Sequence, residues 1–444
     1  MTATQAMIEG ADLADTAVIP PVPASLADLG LSADAVRDLI LKVLYVQGGR
    51  TGEYIADFLR LPFPLVDEEL LTLQHRRFIE VRGTTAPHRG SYLFDLVNDG
   101  RDRAKAALEA SQYVGPAPVP VSQYSSWIHA QSIQKAHVTQ QSLKAGFAHL
   151  VLDPVLIEIL GPAVNSSKSI FLYGHPGNGK TAIAGAISRM LGGELYLPYA
   201  VDIEGQTMLV YDPVHHQEIE TQNEATGIES LWRSGPSFDR RYARIKRPVV
   251  ITGGELTLDQ LDLRYDPFTK VYQAPFQVRA NGGVLIIDDF GRQRVPPRDL
   301  LNRWIVPLDK RVDYLTLHTG GKFPVPFDCL LIFATNLDPT ELVEEAFLRR
   351  IHYKIPVGDP TRAQYEEIFR TECLTQSVSY TPDAVTYIFR EFYDKLGLPP
   401  RGCHPRDLIA HVRDIAKYLE IKPELTPELI QSACRSYFLI SGAG

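Results

Sequence analysis

Gly174-His175-Pro176-Gly177-Asn178-Gly179-Lys180-Thr181 is the stretch whose reading decides the fold. An apolar run, Ser169–Tyr173, leads into it, and a small-residue helical pattern, Ala182–Met190, leads out. Strand, glycine-rich turn and helix in that order make a phosphate-binding loop. The glycines let backbone N–H groups turn inward around phosphate oxygens, where side chains would block the approach. Lys180 supplies a point charge for the terminal phosphates, and the Thr181 hydroxyl suits Mg2+. A nucleotide is expected at Gly174–Thr181.

Cleaving such a nucleotide also requires an acid to hold the metal and a base to orient water. Val284-Leu285-Ile286-Ile287-Asp288-Asp289 offers both. It reads as an apolar strand ending in two carboxylates, which a parallel sheet delivers to the same edge as the loop. Further strand-like runs at Glu194–Leu197, Val249–Thr252, Leu330–Ala334 and His352–Ile355 alternate with helical patterns. Residues 123–360 are therefore expected to form an α/β core around a parallel sheet. From Thr361 onward no strand signal remains. Thr381-Pro382-Asp383 and Thr426-Pro427-Glu428 each supply a cap, a proline at the first helical position and an early acid. Residues 361–444 are expected as a helical bundle.

Composition sets the limits around this core. The 444 residues are 45% hydrophobic and 22% charged, with a formal net charge of −8. That mix excludes low-complexity disorder and a generally basic nucleic-acid coat. The four cysteines, Cys329, Cys373, Cys403 and Cys434, form no CxxC pair, so reduced core thiols are expected rather than a metal site or disulfides. The first basic residue is Arg37 and no long apolar run occurs, so a cytoplasmic location without membrane insertion is expected.

Ahead of the core, residues 1–30 are Ala/Asp-rich and read as a loose tail. Ser32 then caps a helix carrying Val36, Leu39, Ile40, Val43 and Leu44 at helical spacing. Thr51–Arg60 makes a second helix, Pro62-Phe63-Pro64 breaks the chain, and Leu65–Arg77 makes a third. Phe78–Arg82 and Ser91–Leu96 read as a hairpin, followed by a helix over Asn98–Glu109. This order, over residues 31–113, resembles a winged helix-turn-helix domain. The proline-rich stretch at 114–122 reads as a polyproline linker to the core.

Taken together, residues from about 150 onward resemble an AAA+ ATPase. The resemblance rests on the phosphate loop, the Asp288-Asp289 strand end, Leu330-Leu331-Ile332-Phe333-Ala334-Thr335-Asn336, Ala346-Phe347-Leu348-Arg349-Arg350-Ile351 and Gly402-Cys403-His404-Pro405-Arg406-Asp407-Leu408. In motif order the chain is similar to the MoxR-like branch, and it looks like a bacterial group that joins a winged helix to this module. The resemblance implies a P-loop parallel sheet with a C-terminal helical lid, using ATP and Mg2+. It implies that Asp288 holds Mg2+ with Thr181, that Asp289 polarises the attacking water and that Asn336 positions it. Arg350, with Arg349 as the alternative, would reach a neighbouring subunit's γ-phosphate, and Arg406 would sense phosphate from the lid. An arginine acting between subunits implies a homo-oligomer, most often a hexamer. This chain departs from the family at Asp289, where glutamate is usual. A misplacement of about 1 Å at a catalytic group can cost ~10²-fold in rate, so either the backbone shifts to compensate or the enzyme is slow; turnover that is slow alone and stimulated by a partner is the expectation.

Two local features carry less chemistry. Met208–Ile219 reads as a hairpin turning at Asp212-Pro213, and its adjacent His215 and His216 would face opposite sides of a strand, which argues against one shared ion. The basic run Asp239–Pro248 suits nucleic acid, an acidic partner or an intersubunit face, a solvated or intersubunit face being favoured. Two functions stay open. One is remodelling of a protein client recruited by the winged helix. The other is a DNA-associated regulator or loader whose winged helix binds duplex. Charge favours the first: residues 1–115 hold 11 Lys+Arg against 16 Asp+Glu, and the third helix opens on Asp67-Glu68-Glu69.

Overall fold

The computed structural model describes residues 18–219, 238–342 and 348–438. At its centre is a five-stranded, wholly parallel sheet in the order Val249–Thr252, Val284–Ile287, Leu330–Thr335, Ile170–Tyr173, Tyr353–Pro356. The chain enters at the fourth position, crosses to the far edge, walks back and finishes outside its starting strand. Side chains alternate between two cores, as a strand's period of two requires. Ile170, Leu172, Ile286 and Ile332 pack on one face, under the helices Pro154–Asn165 and Lys180–Met190. Phe171, Leu285, Ile287 and Phe333 pack on the other, with Phe290 and Trp304. Burial on both faces explains why these strands carry unbroken apolar runs. Glu194–Pro198 is the exception: it leaves this sheet and pairs antiparallel with Tyr242–Lys246.

The register fixes what meets at the carboxyl edge. Ile287 lies beside Phe333 and Thr335 beside Tyr173, so the residues that follow these strands emerge together. After Pro356 the chain passes into four helical stretches, Arg362–Thr375, Pro382–Leu396, His404–Tyr418 and Pro427–Tyr437, which share their own aromatic-rich core.

Among residues 18–113, helices at Ala33–Gln47, Gly52–Leu59 and Phe63–His75 pack on a small antiparallel sheet, and a helix at Asn98–Ala110 closes the unit. Thr51 caps its helix through Tyr54 N, as the sequence suggests. Pro62-Phe63-Pro64 starts the third helix rather than breaking the chain, because proline is compatible with a first helical turn.

Three expectations are corrected. The tail, where described, is packed: Ser25 and Asp28 form a capping box around Leu26–Leu29, and Leu29 is fully buried. Residues 1–17 lie outside the described residues. The stretch at 114–122 is no free tether. Ala117 and Val119 are buried, and Val119–Pro120 joins an edge of a second sheet beside Val201–Asp202, a position that tolerates proline. Met208–Ile219 does not fold on itself. Met208 and Leu209 pair with Val201 and Ala200, while Glu218 bridges Ile245 across the chain. The turn signal at Asp212 locates the reversal without choosing the partner.

The second sheet, ordered Arg264–Asp266, Val271–Gln273, Gln206–Leu209, Ala200–Ile203, Val119–Pro120, comes largely from the segment between the phosphate-loop helix and the Asp288 strand. The basic run Asp239–Pro248 joins it to the N-terminal unit. Arg241, 2% exposed, forks onto Asp239 and donates to the Leu29 and Pro118 carbonyls at 3.0 and 3.4 Å. Arg240 pairs with Asp57 at 2.6 Å and Arg244 with Glu194 at 2.6 Å. These cations hold the protein's own parts together rather than forming a solvated or intersubunit face. Among the described residues no helix is long and apolar enough to cross a membrane.

Candidate functional site

The phosphate loop is shaped by left-handed backbone at Gly174, Gly177 and Gly179. At two of these positions packing as well as φ demands glycine. A Cβ on Gly174 would strike the Val357 carbonyl oxygen, and one on Gly177 would lie 2.5 Å from Cys403 Sγ. Gly179 then caps the helix Lys180–Met190, aiming its first N–H groups and the positive end of its dipole at the loop. Lys180 is buried and donates to the carbonyls of Gly174 (2.9 Å) and His175 (2.8 Å). Burial lowers its ammonium below the usual lysine range. Asp288 and Asp289 pull it back up, and Arg401 pushes it further down.

Opposite the loop stand the carboxylates. Thr181 Oγ1 donates to Asp288 Oδ2 at 2.9 Å and Oδ1 at 3.1 Å. A hydroxyl and a carboxylate facing each other are hard oxygen donors and fit Mg2+. Asn336 Nδ2 donates to Asp289 Oδ1 at 3.0 Å. Asp289 sits at φ +47°, a left-handed conformation for a residue with a Cβ, which costs about 1–3 kcal/mol. The surroundings hold it there. Phe290 is fully buried, its N–H bonds the Ala334 carbonyl at 2.8 Å, and the Phe290 carbonyl accepts from Thr335 Oγ1 at 2.6 Å.

Together Lys180, Thr181, Asp288, Asp289, Asn336 and Arg406 line one cavity of about 550 Å³. Leu150, Val151, Leu152 and Ile368 add apolar lining, interspersed with His149, Thr371 and Glu372. Pro176, Gly177, Asn178 and Gly179 form the floor. Arg406 stands on the exposed rim, its Nε donating to Asp407 at 2.9 Å. Arg350 is elsewhere, near the amino end of the sheet, where its Nε meets Asp309 at 3.2 Å and its carbonyl accepts from Ser169 Oγ at 3.3 Å. Arg349 is exposed beside it. Ala346 and Phe347 of the same motif lie outside the described residues.

The cysteines divide. Cys329, Cys373 and Cys434 are buried, and burial raises each thiol to about 12. Cys403, expected in a core, instead lies against Gly177 and lines the cavity. His216 is held between the Asp212 N–H (2.8 Å) and the Arg279 carbonyl (2.8 Å), and His215 turns to Asp212 at 3.1 Å.

Sequence reasoning passed over Asp359 and Arg401. Asn178 Nδ2 donates to Asp359 Oδ1 at 2.7 Å, Gly402 N donates to Asn178 Oδ1 at 3.2 Å, and Arg401 is ion-paired with the same Asp359 oxygen. The available signal was weak: a charged residue in the Gly358-Asp359-Pro360 turn and an arginine just before Gly402.

His404, which opens the helix His404–Tyr418, accepts or donates at Tyr393 OH across 2.7 Å. Burial, with Arg401 adding to it, lowers its pKa to about 4, and burial lowers that of His216 to about 4 as well. The unfolded chain takes up these protons near pH 6.5 and the folded chain only near 4. Stability is therefore full above about pH 6.5 and declines as pH falls towards 4, by on the order of 1–3 kcal/mol per histidine. Thermal unfolding at pH 7.5 and pH 5 should show this fall, and His404→Gln should shrink it. An equal fall in His404→Gln would rule His404 out as a source.

The family described as "Domain of unknown function (DUF8689)" matches residues 361–436, the helical part after the sheet. Comparison with curated proteins gives no match. Among solved structures, the Thermotoga maritima RuvB Holliday junction branch migration motor is similar at 14% identity and a TM-score of 0.35, over 68% of this chain and 72% of that one. NtrX from Brucella abortus is similar at 14% identity and a TM-score of 0.39, over 80% of this chain and 66% of that one. Neither score is high enough to bear on function.

Proposed function

We propose that the chain is an AAA+ ATPase that couples ATP binding and hydrolysis to remodelling of a protein partner. One observation carries this reading: a phosphate loop, a Thr181–Asp288 pair and an Asp289–Asn336 pair face one another across a single cavity. The apolar lining at Leu150–Leu152 suits a nucleobase, and the loop and Lys180 suit its phosphates. Thr181 and Asp288 would hold Mg2+, which when bound neutralises phosphate charge. Asp289 would accept a proton from the attacking water, and its amide bond from Asn336 would orient the carboxylate for that task. Arg406 on the rim would approach phosphate from the lid.

Arg350, or Arg349 next to it, lies too near the opposite end of the sheet to serve its own cavity, which supports action on a neighbouring copy in a hexameric ring. Light scattering with ATP and Mg2+ should show assembly. Arg350→Ala and Asp289→Asn should each be nearly inactive alone. Mixed, they should recover activity several-fold above their sum, because some interfaces then pair an intact carboxylate with an intact arginine. No recovery on mixing, with a monomer by scattering, would reject the shared site.

The N-terminal unit is read as a winged helix recruiting a protein. Its cations are largely committed within the molecule: Arg82 to Glu80 (2.9 Å), Arg89 to Asp67 (2.9 Å) and Arg103 to Asp38 (2.9 Å). Freeing them for DNA phosphates would sacrifice those pairs. The Arg89–Asp67 pair also ties the third helix to the hairpin tip, on the face that a duplex would have to enter.

A further inference from the structure

We propose that Asp359 is a positioning residue for nucleotide binding: one carboxylate oxygen gathers Asn178 of the phosphate loop and Arg401 of the lid, fixing the segment that leads into the helix His404–Tyr418 against the loop that would hold the phosphates of a nucleoside triphosphate. This rests on the nucleotide reading of the cavity and adds Asp359 and Arg401 to it.

The geometry is specific. Asn178 is buried and both ends of its amide are used, Nδ2 on Asp359 at 2.7 Å and Oδ1 from Gly402 N at 3.2 Å. A carboxylate on one side and an N–H on the other permit a single orientation of that amide. Asp359 lies in the turn between the last sheet strand and the first lid helix, so the three residues come from the loop, the hinge and the lid. Arg401 reaches Asp359 from the lid, and its Cβ lies 3.6 Å from the position a Cβ on Gly177 would take. The Arg401 backbone thus runs beside the loop while its guanidinium rests on Asp359, and its charge is felt at Lys180. Gly402 and Cys403, the next two residues, touch the loop as well: a Cβ on Gly402 would lie 3.1 Å from the Gly177 carbonyl, and Cys403 Sγ packs on Gly177. By contrast Arg406 lies further out on the rim, paired with Asp407. Without Asp359, Asn178 and Arg401 lose their common acceptor, and the lid loses its register against the loop.

The test is steady-state ATP hydrolysis by the full-length protein, with Asp359→Ala, Arg401→Ala and the double variant. Asp359→Ala should raise KM for ATP about tenfold and leave kcat within about threefold, as loss of a charge-assisted contact made equally before and during reaction requires. The double variant should be little worse than either single one, since both remove the same joint. Arg401→Lys, which keeps the charge, should recover part of the affinity. If Asp359→Ala does not fold, Asp359→Asn carries the same prediction with a smaller rise in KM. Unchanged KM with a lowered Tm, or additive single effects, would overturn the joint while Lys180→Ala still abolished ATP binding. A wild-type protein that binds no ATP would overturn the nucleotide reading and this proposal together.

Discussion

Asp289→Asn should bind ATP with near wild-type affinity and hydrolyse it about 10³-fold more slowly. The substitution keeps the shape of the side chain and removes its capacity to accept a proton, a contribution typically worth ~10²–10⁴ in rate. It should also keep a polar contact with Asn336, whose amide now donates to Asp289 at 3.0 Å. Phosphate release gives the rate, and titration with a fluorescent ATP analogue gives the affinity. Hydrolysis equal to wild type would remove Asp289 from the reaction. The wild-type rate is informative as well. Asp289 is a methylene shorter than glutamate, and it sits on a left-handed turn at φ +47°. Slow basal turnover that rises with a partner is expected; brisk unstimulated turnover that is lost in Asp289→Asn would reject the slow-enzyme version. The same variant, loaded with ATP, should retain its partner for capture, and recovery of DNA instead of protein would reverse the preferred function.

Lys180→Ala should weaken ATP binding by at least about 10²-fold. A charge-assisted bond from a buried ammonium to phosphate is worth roughly 1.5–3 kcal/mol, and each 1.4 kcal/mol is a factor of ten. The larger value applies here, because the Lys180 side chain is buried. The variant should stay folded. It releases only the Gly174 and His175 carbonyls, which lie at a cavity mouth where water can replace the ammonium. Calorimetric titration with ATP measures the loss and thermal unfolding checks the fold. ATP affinity within about threefold of wild type would place the phosphates elsewhere.

The parts of this site that were legible in the sequence are those made by neighbours along the chain. Gly174–Thr181 announces itself because glycine, lysine and threonine at fixed spacing between a strand and a helix do one job. Asp288 and Asn336 are legible because an unbroken apolar run in a parallel sheet must end at the carboxyl edge, where the register then brings Ile287 beside Phe333. The joint at Asp359 was not legible. Asn178 is 181 residues from Asp359, and nothing local to either marks the other. Composition misled at 114–122, since three prolines specify an extended backbone without saying whether it is solvated or packed. Charge misled at Asp239–Pro248 for a related reason. A run of arginines looks like an external surface until Arg241 is found enclosed, with Asp239 and two carbonyls around it.

That enclosed arginine has a mechanical consequence. A recruitment module on a slack tether explores a volume, and a pull on the tether is first spent in straightening it. Here Arg241 bolts Asp239, the Leu29 carbonyl and the Pro118 carbonyl into one block, and Arg240 adds a strut to Asp57. The N-terminal unit and the edge of the second sheet are thereby joined without slack. A partner gripped at the unit's outer face would feel any stroke of the sheet beneath as displacement, with no length of chain to take up first.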